Sequence, residues 1–301
     1  MARNFREMLE AKWAEGKFVC VGLDSESSKI PESAFEHVGD AGLVDLEDTI
    51  VAFNHAIVEA TKDIVSAYKP NIAFYEAHGA EGIAALHRTI VDIHIMAPDV
   101  PVILDAKRAD IGNTNAGYVE AAFDFLRADA ITVHPYLGAE ALKPFLDRKD
   151  KGVIVLCRTS NPGASEFQDL PLHSDSHIRP IGVMTAFHGT RLYQQVAHSV
   201  AQHWNKNGNC ALVVGATYPS ELRKVREIIG DMPILIPGIG TQGGNIEATV
   251  NAGKDSRGRG MIINSSRGII FASSGSDFAL AARRETLKLH TAITECLATK
   301  A

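Results

Sequence analysis

The sequence predicts a (β/α)8, or TIM, barrel formed by a single domain over residues 1–301. Two observations predict it. Eight short apolar runs recur along the chain with helical spacing between most of them, and no linker-like stretch divides them. Several of the runs also end abruptly in charged residues, as parallel strands do when they leave a core at a functional face. A doubly wound sheet is the alternative. It would carry spaced glycines after the first strand, and Val21-Gly-Leu-Asp-Ser-Glu26 lacks them.

The elements follow in order. Phe5, Leu9 and Trp13 recur at four-residue spacing and predict a helix over 4–17 that closes one end of the barrel. The first strand, 18–24, ends in Asp24, and 25–45 has no clear period and reads as a long loop. Ile50, Phe53, Ile57 and Val58 mark the next helix, and 67–74 the second strand, with Lys69 inside it. A strand lysine is more often exposed than buried; if buried, it must meet a carboxylate. A helix over 80–97 precedes the third strand, 100–107, and one over 114–127 precedes the fourth, 130–135. His134 suits a hydrogen-bonded structural role as well as a catalytic one and is assigned none. The fifth strand, 152–160, runs into a long polar loop over 161–180, the kind of segment that binds or covers a ligand. Tyr193, Val196, Val200 and Trp204 mark a helix before the sixth strand, 210–217. The seventh and eighth strands are 233–240 and 260–268, and a helix over 276–298 follows.

Composition narrows the function. The chain is 46% hydrophobic and 22% charged with a net charge of −6, and its basic residues form no stripe, which argues against a nucleic-acid partner. No window approaches the roughly 18 apolar residues of a membrane span, and the first residues lack a signal-peptide stretch, so a cytoplasmic location is expected. Cys20, Cys157, Cys210 and Cys296 are far apart, without metal-ligand spacing, and read as reduced thiols.

The chemistry concentrates in Asp105-Ala-Lys107-Arg-Ala-Asp110. Side chains alternate along a strand, so Asp105 and Lys107 point the same way, and Asp110 follows on the turn; two carboxylates would bracket one ammonium. By itself this is also an ordinary salt-bridged strand end. In a barrel, however, all strand ends open onto one face, which gathers Asp24, Lys69, Asp105, Lys107 and Asp110. After the seventh and eighth strands, Gln242-Gly243-Gly244 and Arg267-Gly268 offer backbone N–H groups and a guanidinium fork suited to a phosphate. A phosphorylated small molecule is the expected ligand.

These residues carry a family resemblance. Asp105-Ala-Lys107-Arg-Ala-Asp110-Ile-Gly-Asn-Thr114 is similar to the active-site signature of the orotidine 5′-phosphate decarboxylases, in their longer bacterial form. Asp24, Lys69, Thr159-Ser160-Asn-Pro-Gly, Pro237-Gly-Ile-Gly-Thr-Gln242-Gly-Gly and Arg267-Gly268 occur in the family's order, so the resemblance spans most of 18–270. It implies decarboxylation of orotidine 5′-phosphate to uridine 5′-phosphate in pyrimidine biosynthesis, with no metal or organic cofactor. Lys69, Asp105, Lys107 and Asp110 would form the charge network and Lys107 would donate the proton. Asp24 would hold a ribose hydroxyl and Ser160 the pyrimidine, while Gln242, Gly243, Arg267 and Gly268 would hold base and phosphate. Asp110, with Ile111 and Thr114, would reach a neighbouring subunit's site, which implies a homodimer with shared sites.

Three alternatives remain at this level. A sugar-phosphate decarboxylase or aldolase of the same superfamily would depend on a metal. A Schiff-base aldolase would hold one lysine in an apolar pocket and be trapped by borohydride. A non-catalytic nucleotide-binding barrel would bind without turnover.

Overall fold

The computed structural model describes residues 3–35, 45–172, 189–239 and 243–299. In chain order its elements are α1 (Phe5–Ala14), β1 (Val19–Leu23), α2 (Leu46–Thr61), β2 (Ala67–Pro70), α3 (Ala73–Glu76), α4 (Gly79–Met96), β3 (Ile103–Arg108), α5 (Gly112–Val119), β4 (Ala130–Val133), α6 (Gly138–Leu146), β5 (Gly152–Arg158), α7 (Leu192–Ser199), β6 (Cys210–Val214), α8 (Pro219–Ile229), β7 (Ile234–Ile236), α9 (Ile246–Gly253), β8 (Met261–Ser265), α10 (Arg267–Ile270) and α11 (Phe278–Ala298).

Every strand run from β1 to β8 pairs in parallel, in the order β2-β1-β8-β7-β6-β5-β4-β3. Pairing of β1 with both β2 and β8, at Cys20–Ala67 and Val19–Ile263, excludes the doubly wound order. Single bridges at Tyr68–Val102 and Asn71–Asp105 bring β2 against β3 and close the ring. Apolar side chains of β1, β4, β6, β7 and β8 are wholly buried, as the continuous apolar runs require of strands covered on both faces.

Helix α1 plugs the amino-terminal end of the barrel. Its Asn4 cap accepts the Glu7 N–H, Phe5, Leu9 and Trp13 are buried, and the Trp13 indole N–H donates to the Met261 carbonyl at 2.8 Å. Lys12 is buried on the same helix and paired with Asp99 and Glu15, so α1 carries a buried charge as well as apolar packing.

Several boundaries differ from expectation. The second strand stops at Pro70 instead of running to 74, because the Asn71 side chain accepts the Ala73 N–H at 3.3 Å and turns the chain into α3. The helix expected over 114–127 is α5 continued by a π-helical turn, Glu120–Phe125. Helices α6, α8 and α9 had no sequence reading: α6 holds Pro144 and α9 ends on Gly253, which obscure the helical period, whereas α8 carries a legible one in Leu222, Val225 and Ile229. Within the two expected loops, 3₁₀ turns occupy Ser27–Lys29, Glu32–Ala34 and Pro162–Glu166, and residues 36–44 and 173–188 lie outside the described residues.

Near the plugged end, Arg226 of α8 is buried and donates to four carbonyls, those of Gly253, Gly230, Met232 and Gly260. Burial pushes its pKa down to about 10, with Asp255 and Asp231 opposing the fall. It ties together the segments that lead into β7 and β8. Arg226→Met removes the donors and leaves buried carbonyls without partners, so urea denaturation should show a loss of about 3 kcal/mol or more. A loss below about 1 kcal/mol would show that the four contacts contribute little to the fold.

Candidate active site

The carboxyl ends of the strands surround a cavity of about 410 Å³ whose lining includes Lys69, Asp105, Lys107, Thr132, Ser160 and Pro237. Lys69 comes from β2 and is 4% exposed, which overturns the exposed reading of a strand lysine. Its ammonium lies 3.0 Å from Asp105 Oδ2 and 3.8 Å from Asp24 Oδ1. Lys107 Nζ lies 2.7 Å from the other oxygen of Asp105. The order of charge is therefore Asp24, Lys69, Asp105, Lys107. The ammonium bracketed by two carboxylates is Lys69, whereas the sequence reading had placed Lys107 between Asp105 and Asp110.

Thr132 of β4 completes the array. Its hydroxyl donates to Asp105 Oδ1 at 2.9 Å and accepts the N–H groups of Ala106 and Lys107, each at 3.0 Å. Lys107 takes a φ of +48°, a left-handed conformation rare for a lysine, and the Thr132 contact holds its amide in that turn. The ammonium of Lys107 is about half exposed, whereas Asp105 is largely enclosed.

The electrostatics follow from burial opposed by neighbours. Burial alone would raise the Asp105 pKa, but the Lys69 and Lys107 ammoniums outweigh it and hold the carboxyl well below its ordinary value of 3.8. Burial likewise works against the charge on Lys69, and the Asp105 and Asp24 carboxylates reverse that, raising its pKa above lysine's ordinary value. Both groups are charged across the neutral range. Cys20, beneath them in β1, is pushed up to about 12 by burial and stays a thiol.

Other expected residues lie around this centre. Asp24 follows β1, and its buried Oδ1 makes no hydrogen bond among the described residues. Gly22 lets β1 approach the end of β8, since a Cβ there would fall 1.9 Å from Ser266 Oγ, next to Arg267. Arg267 is exposed at the start of α10, followed by half-buried Gly268, and Gly243 turns the chain at a φ of +81°. Gln242 lies outside the described residues. Asp110 sits on the turn between β3 and α5, and Thr114 lies in the first turn of α5. The Asp110 N–H is held by Asn115 Oδ1 at 2.8 Å and its Oδ1 accepts the Ile111 N–H at 2.7 Å. Among the described residues Asp110 forms no ion pair, and neither it nor Thr114 lines the cavity. No three His, Cys, Asp or Glu side chains among the described residues are grouped to hold a metal ion.

Sequence reasoning missed Thr132 and Gln168. Thr132 interrupts the apolar run Ala130-Ile-Thr-Val133 much as Lys69 interrupts its own strand, so a signal was present. Gln168, in a polar loop, offered none.

The model of the orotidine 5′-phosphate decarboxylase / HUMPS family matches residues 17–178, and these hold Asp24, Lys69, Asp105 and Lys107. The chain belongs to this family. A relative from Azoarcus sp. (strain BH72), named orotidine 5′-phosphate decarboxylase, is 47% identical over 96% of this chain and 98% of its own length. One of the same name from Cupriavidus metallidurans is 48% identical over 96% of this chain and 97% of its own. The solved structure of Leishmania donovani OMP decarboxylase superposes with a TM-score of 0.76 at 35% identity, covering 97% of this chain and 99% of that one. Similarity over 96% of the chain extends the family match through β6, β7 and β8 to Arg267 at the start of α10. No helix among the described residues is long and apolar enough to cross a membrane.

The depressed pKa of Asp105 has a signed consequence. A carboxyl lowered by folding contributes stability above its unfolded value, and that contribution is lost as pH falls below that value toward the folded one. Wild-type protein should therefore lose stability from about pH 4 downward, and Asp105→Asn should lose less over the same interval. Chemical denaturation at about pH 6 and about pH 3 checks this; equal losses in the two proteins would show that Asp105 is not held by its lysines.

Proposed function

We propose that the chain decarboxylates orotidine 5′-phosphate to uridine 5′-phosphate, with Lys107 as the proton donor and with sites shared between two copies. The observation that carries the reading is the Lys69–Asp105–Lys107 array at the cavity, in a chain of this family. Loss of carbon dioxide breaks a ring carbon to carboxyl bond and leaves the electron pair on the ring. An ammonium held by a carboxylate is charged and oriented before the reaction, so it stabilises that pair and then transfers its proton to the ring carbon. Asp105, kept ionised, faces the substrate carboxylate and favours its departure. The step uses no metal or organic cofactor. Asp24, whose Oδ1 faces Lys69 without a hydrogen bond among the described residues, suits a ribose hydroxyl, and Ser160 suits the pyrimidine. Arg267, Gly268, Gly243 and Gln242 would hold the phosphate, whose binding energy can order the site around the charges. One barrel sheet carries the charged array and ends beside Arg267, which fits a single domain, and a free nucleotide substrate fits a cytoplasmic enzyme.

Turnover is read by the loss of ultraviolet absorbance as orotidine 5′-phosphate is consumed, with and without chelator. Wild-type protein should turn over in both, and folded Lys107→Ala should be nearly inactive. Activity that needs a metal would favour the sugar-phosphate alternative, and wild-type rates in Lys107→Ala would remove the proposed donor.

The shared site rests on Asp110, which forms no ion pair in its own chain among the described residues, while Ile111, Tyr136 and Leu137 on neighbouring connections are exposed apolar groups. Mixing inactive Asp110→Ala with inactive Lys107→Ala should restore activity, because a heterodimer collects both lesions in one site and neither in the other. Random exchange makes about half the dimers mixed, so recovery should approach roughly one quarter of wild-type activity per total site. No recovery after verified exchange would place Asp110 in its own chain's chemistry.

A further inference from the structure

Strand β5 ends on Arg158, which is 1% exposed and heads the fully enclosed side chains by size among the described residues. A guanidinium at that depth needs its donors filled. Its Nε and Nη2 each donate to an oxygen of Asp169 at 3.0 Å, and Nη1 donates to the Thr159 carbonyl at 2.7 Å. Its plane lies over the Tyr218 ring, 4.0 Å from the centroid.

The next residue is held just as closely. Gln168 Oε1 accepts the Thr159 N–H at 2.8 Å, and its Nε2 donates to Thr159 Oγ1 at 3.0 Å. The Gln168 carbonyl in turn accepts the Tyr193 N–H at 3.0 Å, which docks it on α7. Ser160 is backed from β6: the Thr217 hydroxyl donates to its carbonyl at 3.4 Å, and a Cβ on Gly215 would lie 2.7 Å from its Cα. Two consecutive residues, Gln168 and Asp169, thus return from the 162–166 turn and grip two consecutive residues, Arg158 and Thr159, immediately before Ser160. Arg158 and Asp169 do not line the cavity, whereas Thr159, Ser160 and Gln168 do. A bidentate ion pair and a two-bond amide clasp are more than a surface turn needs.

We propose that Arg158, Gln168 and Asp169 are positioning residues: a latch that fixes the Thr159–Ser160 backbone so that Ser160 meets the pyrimidine without first being ordered. The proposal rests on Ser160 being the base contact. Opening the latch charges the ordering of Ser160 to ligand binding, and only ligands that carry a base feel it.

Binding of uridine 5′-phosphate and of ribose 5-phosphate to the full chain, by calorimetry, tests this with Ser160→Ala, Gln168→Ala and the double variant. Each single variant should weaken uridine 5′-phosphate by about tenfold, the effect of one hydrogen bond, and leave ribose 5-phosphate unchanged. The double variant should be no weaker than Ser160→Ala, because the latch acts through that residue. If Gln168→Ala does not fold, Asp169→Asn reads the same pattern, since it weakens the Arg158 anchor at nearly constant volume. Loss in Ser160→Ala with none in the latch variant overturns the latch and leaves the base contact standing. No loss in Ser160→Ala overturns the base contact and the latch with it. Additive losses, or equal losses for ribose 5-phosphate, also overturn the latch.

Discussion

Lys69 is an ammonium almost without access to water, and burying that charge would cost several kcal/mol if no opposite charge met it. Much of the active face follows from this requirement. Asp105 must stand within hydrogen-bond reach of Lys69 and stay ionised, which leaves its second oxygen for Lys107 and the Thr132 hydroxyl. Asp24 must approach from β1, which the Gly22–Lys69 register allows. A barrel meets these demands because its parallel strands end together, so groups more than 80 residues apart in the chain converge without a long loop. The charges are arranged by the fold before any ligand enters, which is what transition-state stabilisation asks of a site.

The architecture was legible because its signals are local and repeated. Runs such as Cys210-Ala-Leu-Val-Val214 have one reading, buried strand, and eight of them with intervening helical periods leave few topologies. Asp24, Asp105 and Lys107 were legible as charges at the ends of such runs. Lys69 was half legible: the strand placed it correctly, but whether a lone lysine faces solvent or core depends on carboxylates from two other strands, and no local pattern carries that information.

What escaped the sequence depends on contacts between distant segments. Thr132 looks like a tolerated hydroxyl in a strand until β3 is seen to place two N–H groups and a carboxylate around it. Gln168 matters through Thr159, nine residues away across a turn. Asp110 is recognised by spacing in the motif, yet among the described residues its side chain accepts only the Ile111 N–H, which carries no sign of chemistry. Helix α9 escaped for a simpler reason, being a short segment whose apolar face is defined by the neighbours it covers.

The backbone at Lys107 sits where glycine is comfortable and a branched or long side chain is not. That position has two masters: conformational ease favours a residue without a Cβ, and the proposed proton transfer requires an amine at the end of four methylenes. Selection for heat resistance alone would erode the amine here, so thermal hardening of this protein has to be sought elsewhere, at the amino-terminal plug and the outer helices, where durability and turnover do not compete.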